Sequence, residues 1–373
     1  MKPAASIALR IAGFAVLAAA TVALALLPGP RRLTDDSGSA VVAEVVETDD
    51  SSIQLHGLVE FGTQRLKVRM PGGEIVDATN ELRAQMELDK KFRPGDKALV
   101  STAGTGAPVA KDHWRLGWAF GLMALFAAAL VAFGGWTGAK ALFSFVFGCL
   151  AIWKLMIPLA LKGWHASSVS FLTVAVLAAV INLLVAGWTR KCLVASAGSL
   201  LGVLASLALA HMTTRLMHVN GATMPYAQQL LYSGYQFLDL RDVFVGAAVL
   251  ASSGAVMDLG MDIAAGMDEV VRHSPGIAPL ALMSSGMRIG RAVVGTMTTT
   301  LLLAYSGGYL TLLMVFAAQG TNPSDFLNST LVSAELVKTL VGSLGLVLVA
   351  PFTALVGAAV LPRRGETCQT EDL

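Results

Sequence analysis

The stretch GAVMDLGMDIAAGMDEV, from Gly254 to Val270, is the most informative part of this chain about its fold and function. It lies in a long apolar run that predicts a membrane-spanning helix, yet it carries several acids. On a helix, Asp258, Asp262 and Glu269 fall within roughly 40° of one another on one stripe. A carboxylate within a membrane costs on the order of 2.5–3.5 kcal/mol. We therefore expect Asp258 and Asp262 to face protein, water or a cation rather than lipid.

A second apolar segment, from Met287 to Gly308, reads MRIGRAVVGTMTTTLLLAYSGG and is rich in hydroxyls. If it runs antiparallel to the first, its threonines lie about 6 to 12 Å in from the Arg291 end, at the depth of Asp258. Oxygen ligands of this kind suit a hard cation or a proton path. The candidate ion- or substrate-binding residues are therefore Asp258, Asp262, Thr296, Thr298, Thr300 and Arg291. The alternative is that the hydroxyls bond the carbonyls of their own helix, and that the acids pair with Arg288 or Arg291.

Glycines interrupt both segments, and they remove side-chain bulk where helices approach closely. The positions predicted to serve helix packing are Gly254, Gly290, Gly295 and Gly307.

These two segments resemble the YibE/F-like family of bacterial polytopic membrane proteins. The resemblance rests on Gly254 to Asp258, then on Ser285, Gly286, Met287, Ile289, Gly290 and Arg291, and then on Gly295, Thr296, Met297, Thr298, Thr300, Leu301, Ala304 and Tyr305. It implies an N-terminal anchor, a small β-rich domain and a bundle of helices. Where the family is expected to read GTMTNT, this chain has Thr299 in place of the asparagine. The resemblance implies a class of protein and no particular activity.

Composition favours an integral membrane protein and argues against nucleic-acid binding. The 373 residues are 55% hydrophobic and 14% charged, with a net charge of +2. The three cysteines and six histidines are dispersed, so no disulfide framework, metal site or cofactor is predicted. The sequence contains no phosphate-binding Gly-Lys-Ser/Thr loop, zinc helix or nucleophile elbow, and we expect no enzymatic activity.

The predicted domain organisation has four parts. Residues 1–30 form a transmembrane anchor, which we favour over a cleaved signal peptide because no small-x-small site precedes Pro28. Residues 31–113 form a small β-rich domain of the OB or SH3-like barrel type, because short alternating runs begin near residues 40, 52, 64 and 97. A short helix is predicted over residues 80–90. Residues 114–362 form the multi-helix domain, and residues 363–373 form a tail.

About eight spans of roughly 20 residues are predicted, counting the anchor. The others lie near Leu116 to Phe133, Leu142 to Leu161, Val169 to Trp188, Leu193 to Met212, Val243 to Ala264, Ala292 to Phe316, and Leu336 to Leu361. Most lysines and arginines of the short loops fall on one side of this arrangement. By the positive-inside rule, both termini are cytoplasmic and residues 31–113 are extracytoplasmic, in a bacterial inner membrane.

Two hypotheses about function fit these features of the sequence. In the first, the chain is a transporter or channel that moves an ion or small polar solute by means of its intramembrane acids. In the second, it is a non-transporting scaffold or sensor whose β-domain, residues 31–113, binds an envelope partner. They differ in whether water reaches Asp258 or the carboxylate is sealed and paired. Besides the bilayer, the expected partners are therefore an ion or solute, or an envelope protein, and no nucleic acid.

Overall fold

A computed structural model describes residues 18–19, 21–27, 40–102 and 107–362. It divides into two compact units, Arg32–Gly135 and a second unit that combines Met1–Arg31 with Trp136–Leu373. The boundary at Gly135 lies beyond the predicted domain end at residue 113. Most of the predicted anchor, the predicted tail and the residues that precede position 40 lie outside the described residues.

The first unit contains a small β-barrel, as predicted. Its strands are β1 (Ala40–Asp49), β2 (Ile53–His56), β3 (Val59–Arg69), β4 (Ile75–Arg83), β5 (Lys97–Ser101) and β6 (Val109–His113). They follow the order β1-β5-β6-β4-β3-β2, and β1 also pairs with β3. That additional pairing closes five strands into a barrel, while β2 extends β3 as a hairpin through the turn at Gly57.

Alternation along the strands builds the barrel core, because side chains at every second position point inward. Val45, Leu66, Val68 and Val100 are almost completely buried. The interior also holds a buried glutamine, Gln64, whose amide makes four hydrogen bonds. Its nitrogen donates to the Phe92 carbonyl and to Asp50, and its oxygen accepts from the Phe92 and Asn80 nitrogens.

The predicted helix over residues 80–90 is wrong. Residues 75–83 form β4, which pairs with β3 along its whole length, and turns follow. Good helix formers in ELRAQMELDK suggested a helix, but pairing with β3 and burial of Leu82 decide the structure of this stretch.

The helical elements that follow are α1 (Leu116–Ala151), a π-helical segment (Ile152–Met156), α2 (Ile157–Leu161), α3 (Ala166–Ala186), α4 (Arg190–Leu216), α5 (Ala227–Tyr232), α6 (Leu240–His273), α7 (Pro279–Gly308), α8 (Leu310–Ala318), α9 (Pro323–Asn328) and α10 (Thr330–Val360). Local side chains explain where two of these helices begin. Asp239 caps α6 by accepting from the Arg241 nitrogen, and Pro279 opens α7 at a position where no backbone donor is needed.

The predicted count of eight spans is not confirmed. In the described part of the chain, five helices are long and apolar enough to cross a membrane, or six if the bent pair α7 and α8 is one span. Two predicted spans fall in the single 46-residue segment Leu116–Leu161, which Gly135 interrupts with φ 52° and ψ −129°. The span predicted near Ala292 to Phe316 contains a 67° bend at Tyr309.

Helix α6 lies at the centre of the second unit, where it contacts α3, α4, α7 and α10. Its inner face is fully buried at Val256, Leu259 and Ile263. Glycine and serine permit the closest approaches between these helices. A side chain at Gly260 would overlap the Ser199 hydroxyl of α4, and one at Gly246 would overlap Ser170 of α3.

Candidate functional site

Helices α6 and α7 run antiparallel, and their contacts fix the register between them. A Cβ atom added at Gly290 would lie 3.2 Å from Ile263 Cδ1, and one added at Gly286 would lie 2.6 Å from Met267 Sδ. Stepping along the helices from Ile263 and Gly290 brings Asp262 level with Arg291 and Asp258 level with the neighbours of Thr296. The predicted acids and hydroxyls therefore share the same depth.

Asp258 and Asp262 lie on the exposed face of α6, in line with Gly254 and Glu269. Among the described residues, neither carboxylate has a hydrogen-bond or salt-bridge partner. One helical turn separates them, so their charges repel one another. Neutralising one of two like charges this close together relieves that repulsion.

The threonines of α7 lie at a matching depth, but their hydroxyls already donate hydrogen bonds within the helix. Thr296 donates to the Val293 carbonyl, and Thr298 donates to the Val294 carbonyl. The Thr299 and Thr300 hydroxyls donate to the Gly295 and Thr296 carbonyls in the same way. A hydroxyl bonded in this way keeps its oxygen lone pairs, so it still accepts a hydrogen bond or contacts a cation.

Arg291 is exposed at the level of Asp262, yet it forms no salt bridge with a carboxylate that the structure describes. Arg288, one turn away, contacts the Ser285 hydroxyl. The arginines and the acids thus occupy neighbouring helices and stay unpaired. This arrangement differs from the neutralising ion pairs expected of a closed bundle.

The four glycines predicted to serve packing occupy different surroundings. Gly290 is buried between helices, where an added Cβ atom would lie 2.7 Å from Ala350 Cβ of α10. Gly254, Gly295 and Gly307 have no described atom within 4 Å of such a Cβ. Any packing at those three positions requires a surface that does not belong to the described part of this chain.

Two polar contacts in the helical unit were not predicted from the sequence. Asp242, in the first turn of α6, is buried and bonded to Ser167 of α3. Glu335 and Lys338 of α10 form a 2.7 Å ion pair, and Lys338 lies over the Phe244 ring. The spacing of Glu335 and Lys338, i and i+3, was a signal in the sequence, whereas the contact between Asp242 and Ser167 joins distant segments.

Several long apolar helices, one of which carries acids, together with a small barrel fit a multi-pass membrane protein. The model of the YibE/F-like protein family matches residues 122–363, about two thirds of the chain. The chain belongs to this family. No curated protein and no solved structure matches it.

Proposed function

We propose that this chain is a membrane transporter or channel for an ion or small polar solute, and that Asp258 and Asp262 bind the transported species. One observation carries the proposal. Two carboxylates lie one turn apart on a membrane-spanning helix, exposed and without a partner in the described structure. Contact with lipid costs on the order of 2.5–3.5 kcal/mol for each, so water, a cation or another protein surface must contact them.

The neighbouring face of α7 adds the other groups such a site needs. The Thr296 and Thr300 oxygens accept from a hydrated ion at the depth of Asp258. Arg291 lies level with Asp262 and, in the proposed cycle, pairs with an acid when the ion has left. Exchange between these two partners is a means of coupling binding to a change of conformation.

We further propose that the protein lies in a bacterial inner membrane, with both termini in the cytoplasm and the barrel outside. The distribution of lysine and arginine in the short loops supports this orientation.

A scaffold or sensor is the second candidate function, and the barrel surface favours it. Leu55 and Leu58 of the β2–β3 hairpin are 69% and 89% exposed, and Phe61 beside them is 40% exposed. Adjacent apolar side chains on a hairpin suit a protein partner. In this second case Asp258 and Asp262 join the bundle to another chain and move nothing.

The test is a flux measurement in proteoliposomes that contain the purified full chain. A panel of cations, protons and small anions is offered to the wild type, Asp258→Asn and Asp262→Asn. Glu269→Gln is the matched control, since Glu269 lies on the same stripe and pairs with His273 near the helix end. We expect flux by the wild type and the control, and a fall of about tenfold or more in the two variants, as for loss of one charged ligand.

Two results contradict the proposal. If the folded wild type carries no tested ion or solute, the scaffold function takes its place. If flux persists unchanged in both asparagine variants, the path lies elsewhere in the bundle.

A further inference from the structure

A second polar site lies at the opposite end of α6, about 24 Å along the helix from Asp258. It is a pocket of about 300 Å³ where the ends of α3, α4 and α6 meet. Two arginines and two aspartates line it, namely Arg215, Arg241, Asp239 and Asp242. The volume is that of a site for a small molecule.

Asp242 is held rigidly on one side of this pocket. The Ser167 backbone nitrogen donates to Asp242 Oδ2 at 3.2 Å, and the Ser167 hydroxyl donates to Oδ1. Because the single hydroxyl hydrogen goes to Asp242, the Ser167 oxygen can only accept from His211 Nε2, 3.2 Å away. His165, which also lines the pocket, places its Nδ1 atom 3.9 Å from Asp242 Oδ2. Asp242 is 8% exposed, and its Oδ1 oxygen keeps a free lone pair.

The arginines of the pocket do not neutralise its acids. Neither Arg215 nor Arg241 forms a salt bridge with any carboxylate in the described residues. The Arg241 Nε atom is buried and has no hydrogen-bond partner there. Asp239 uses one carboxylate oxygen to cap α6 through the Arg241 backbone nitrogen and is otherwise exposed.

Opposite charges are therefore kept apart across one small pocket. Arg215 and Asp239 are solvated, but the buried Arg241 Nε has no partner in the described residues, and an acceptor atom of a ligand would satisfy it. A ligand with a single charge would satisfy one pair and leave the other. A ligand with both charges satisfies the guanidinium groups and the carboxylates together.

We propose that this pocket binds a small zwitterion, with its oxyanion between Arg215 and Arg241 and its ammonium against Asp242 and Asp239. A free amino acid and the headgroup of phosphatidylethanolamine share this chemistry. The pocket adjoins a groove of about 410 Å³ that shares His211 and Arg215 and continues along Ala208, Met212 and Leu216. That apolar border suits the first part of a lipid tail. The site does not depend on ion flux through the Asp258 face.

The first arm of the test measures thermal unfolding of the full chain in detergent with L-alanine, with acetate and with methylammonium. We expect L-alanine to stabilise the protein at concentrations about tenfold or more below those at which either half-ligand does so, because one ligand joins both interactions. Arg241→Gln, Arg215→Gln and Asp242→Asn each weaken the effect by about tenfold or more. Asp325→Asn and Arg190→Gln, both exposed and outside the pocket, serve as controls.

The second arm compares nanodiscs of phosphatidylglycerol with nanodiscs that also contain phosphatidylethanolamine. Stabilisation by phosphatidylethanolamine that Arg241→Gln abolishes identifies a lipid headgroup, and stabilisation by L-alanine alone identifies a free solute. Acetate as effective as L-alanine would overturn the proposal in favour of an anion site. Absence of any response to L-alanine and to phosphatidylethanolamine would overturn it entirely. The arginine variants keep the test valid if Asp242→Asn, which removes buried hydrogen bonds, does not fold.

Discussion

In the described residues Asp258 and Asp262 have no hydrogen-bond or salt-bridge partner, whereas three other acids of the helical unit do. Asp268 pairs with Arg272, Glu335 pairs with Lys338, and Asp242 is bonded to Ser167. Those acids have a structural explanation in the contacts they make. The two unpaired carboxylates have none within the described chain, which is the physical basis for giving them a function.

The Glu335–Lys338 pair predicts a stability effect at the residue scale. Its side chains are only 26% and 20% exposed. Lys338→Met leaves the Glu335 carboxylate half-buried and unpaired, and we expect a loss of about 1–2 kcal/mol in the free energy of unfolding. The double variant Glu335→Gln with Lys338→Met should lose less free energy of unfolding than Lys338→Met alone. Thermal unfolding in detergent measures both, with the exposed Lys162→Met as the control.

If the double variant instead loses as much as Lys338→Met and Glu335→Gln alone added together, the two side chains do not interact. The pair then stabilises the bundle only through its separate contacts, such as that of Lys338 with Phe244.

In the barrel, the ion pairs of Lys91 predict how its contribution to stability depends on pH. A hydrogen bond from the Lys91 ammonium to Glu60, 3.1 Å long, raises the pKa of Lys91 above its usual 10.5, and Asp50 adds to the effect at 3.3 Å. A raised pKa means that this contribution to stability is fully present below pH 10.5 and is lost as pH rises through the folded-state value. NMR of ¹³C-methylated lysines should show Lys91 titrating above 10.5, and at a lower pH in Glu60→Gln. An unchanged titration in the variant would show that Glu60 is not the cause.

At the scale of helices, substitutions at two glycines of α7 should differ in their effect on stability. Gly290 is packed against other helices, and Gly295 faces open space. Gly290→Leu forces a side chain against Ala350 and Ile263, and we expect a cost of about 1–3 kcal/mol from overpacking. Gly295→Leu, five residues along, meets open space and gains helix propensity, so the monomer should be at least as stable. Thermal unfolding in detergent compares the two. Equal destabilisation would mean that the Gly295 face is also packed.

The sequence predicted elements where one local pattern dominated. Alternation in AVVAEVVE gave β1, and long apolar runs gave α3, α4 and α10 within a few residues. It failed where tertiary contacts override local preference. Residues 80–90 contain good helix formers, but residues 80–83 pair with β3 and form the end of a strand. The two spans predicted over Leu116 to Leu161 are not confirmed, because this stretch is one helical segment that Gly135 interrupts between them.

At the scale of the whole molecule, the exposed face of α6 that carries Asp258 and Asp262 was predictable from the sequence. The proposed zwitterion pocket was not. Helical spacing alone places Asp258 and Asp262 on one stripe, and the structure keeps them together on an exposed face. The pocket joins Ser167 to Asp242, which are 75 positions apart, and depends on how α3, α4 and α6 converge. No local pattern encodes such a convergence.

The most direct test of the central claim is the accessibility of position 258 to water in a lipid bilayer. Asp258→Cys is introduced after Cys149, Cys192 and Cys368 are replaced by serine, and reconstituted vesicles are treated with a charged, membrane-impermeant thiol reagent. Val347→Cys is the control. Val256 and Val349 both approach Gly202, so Val347, an exposed apolar residue of α10, lies within about one helical turn of the depth of Asp258.

A hydrated path along α6 and α7 predicts that the cysteine at 258 reacts in the bilayer while the cysteine at 347 reacts only after solubilisation in detergent. If neither position reacts in the bilayer and both react in detergent, water does not reach Asp258, and the proposed role in ion or solute movement is contradicted.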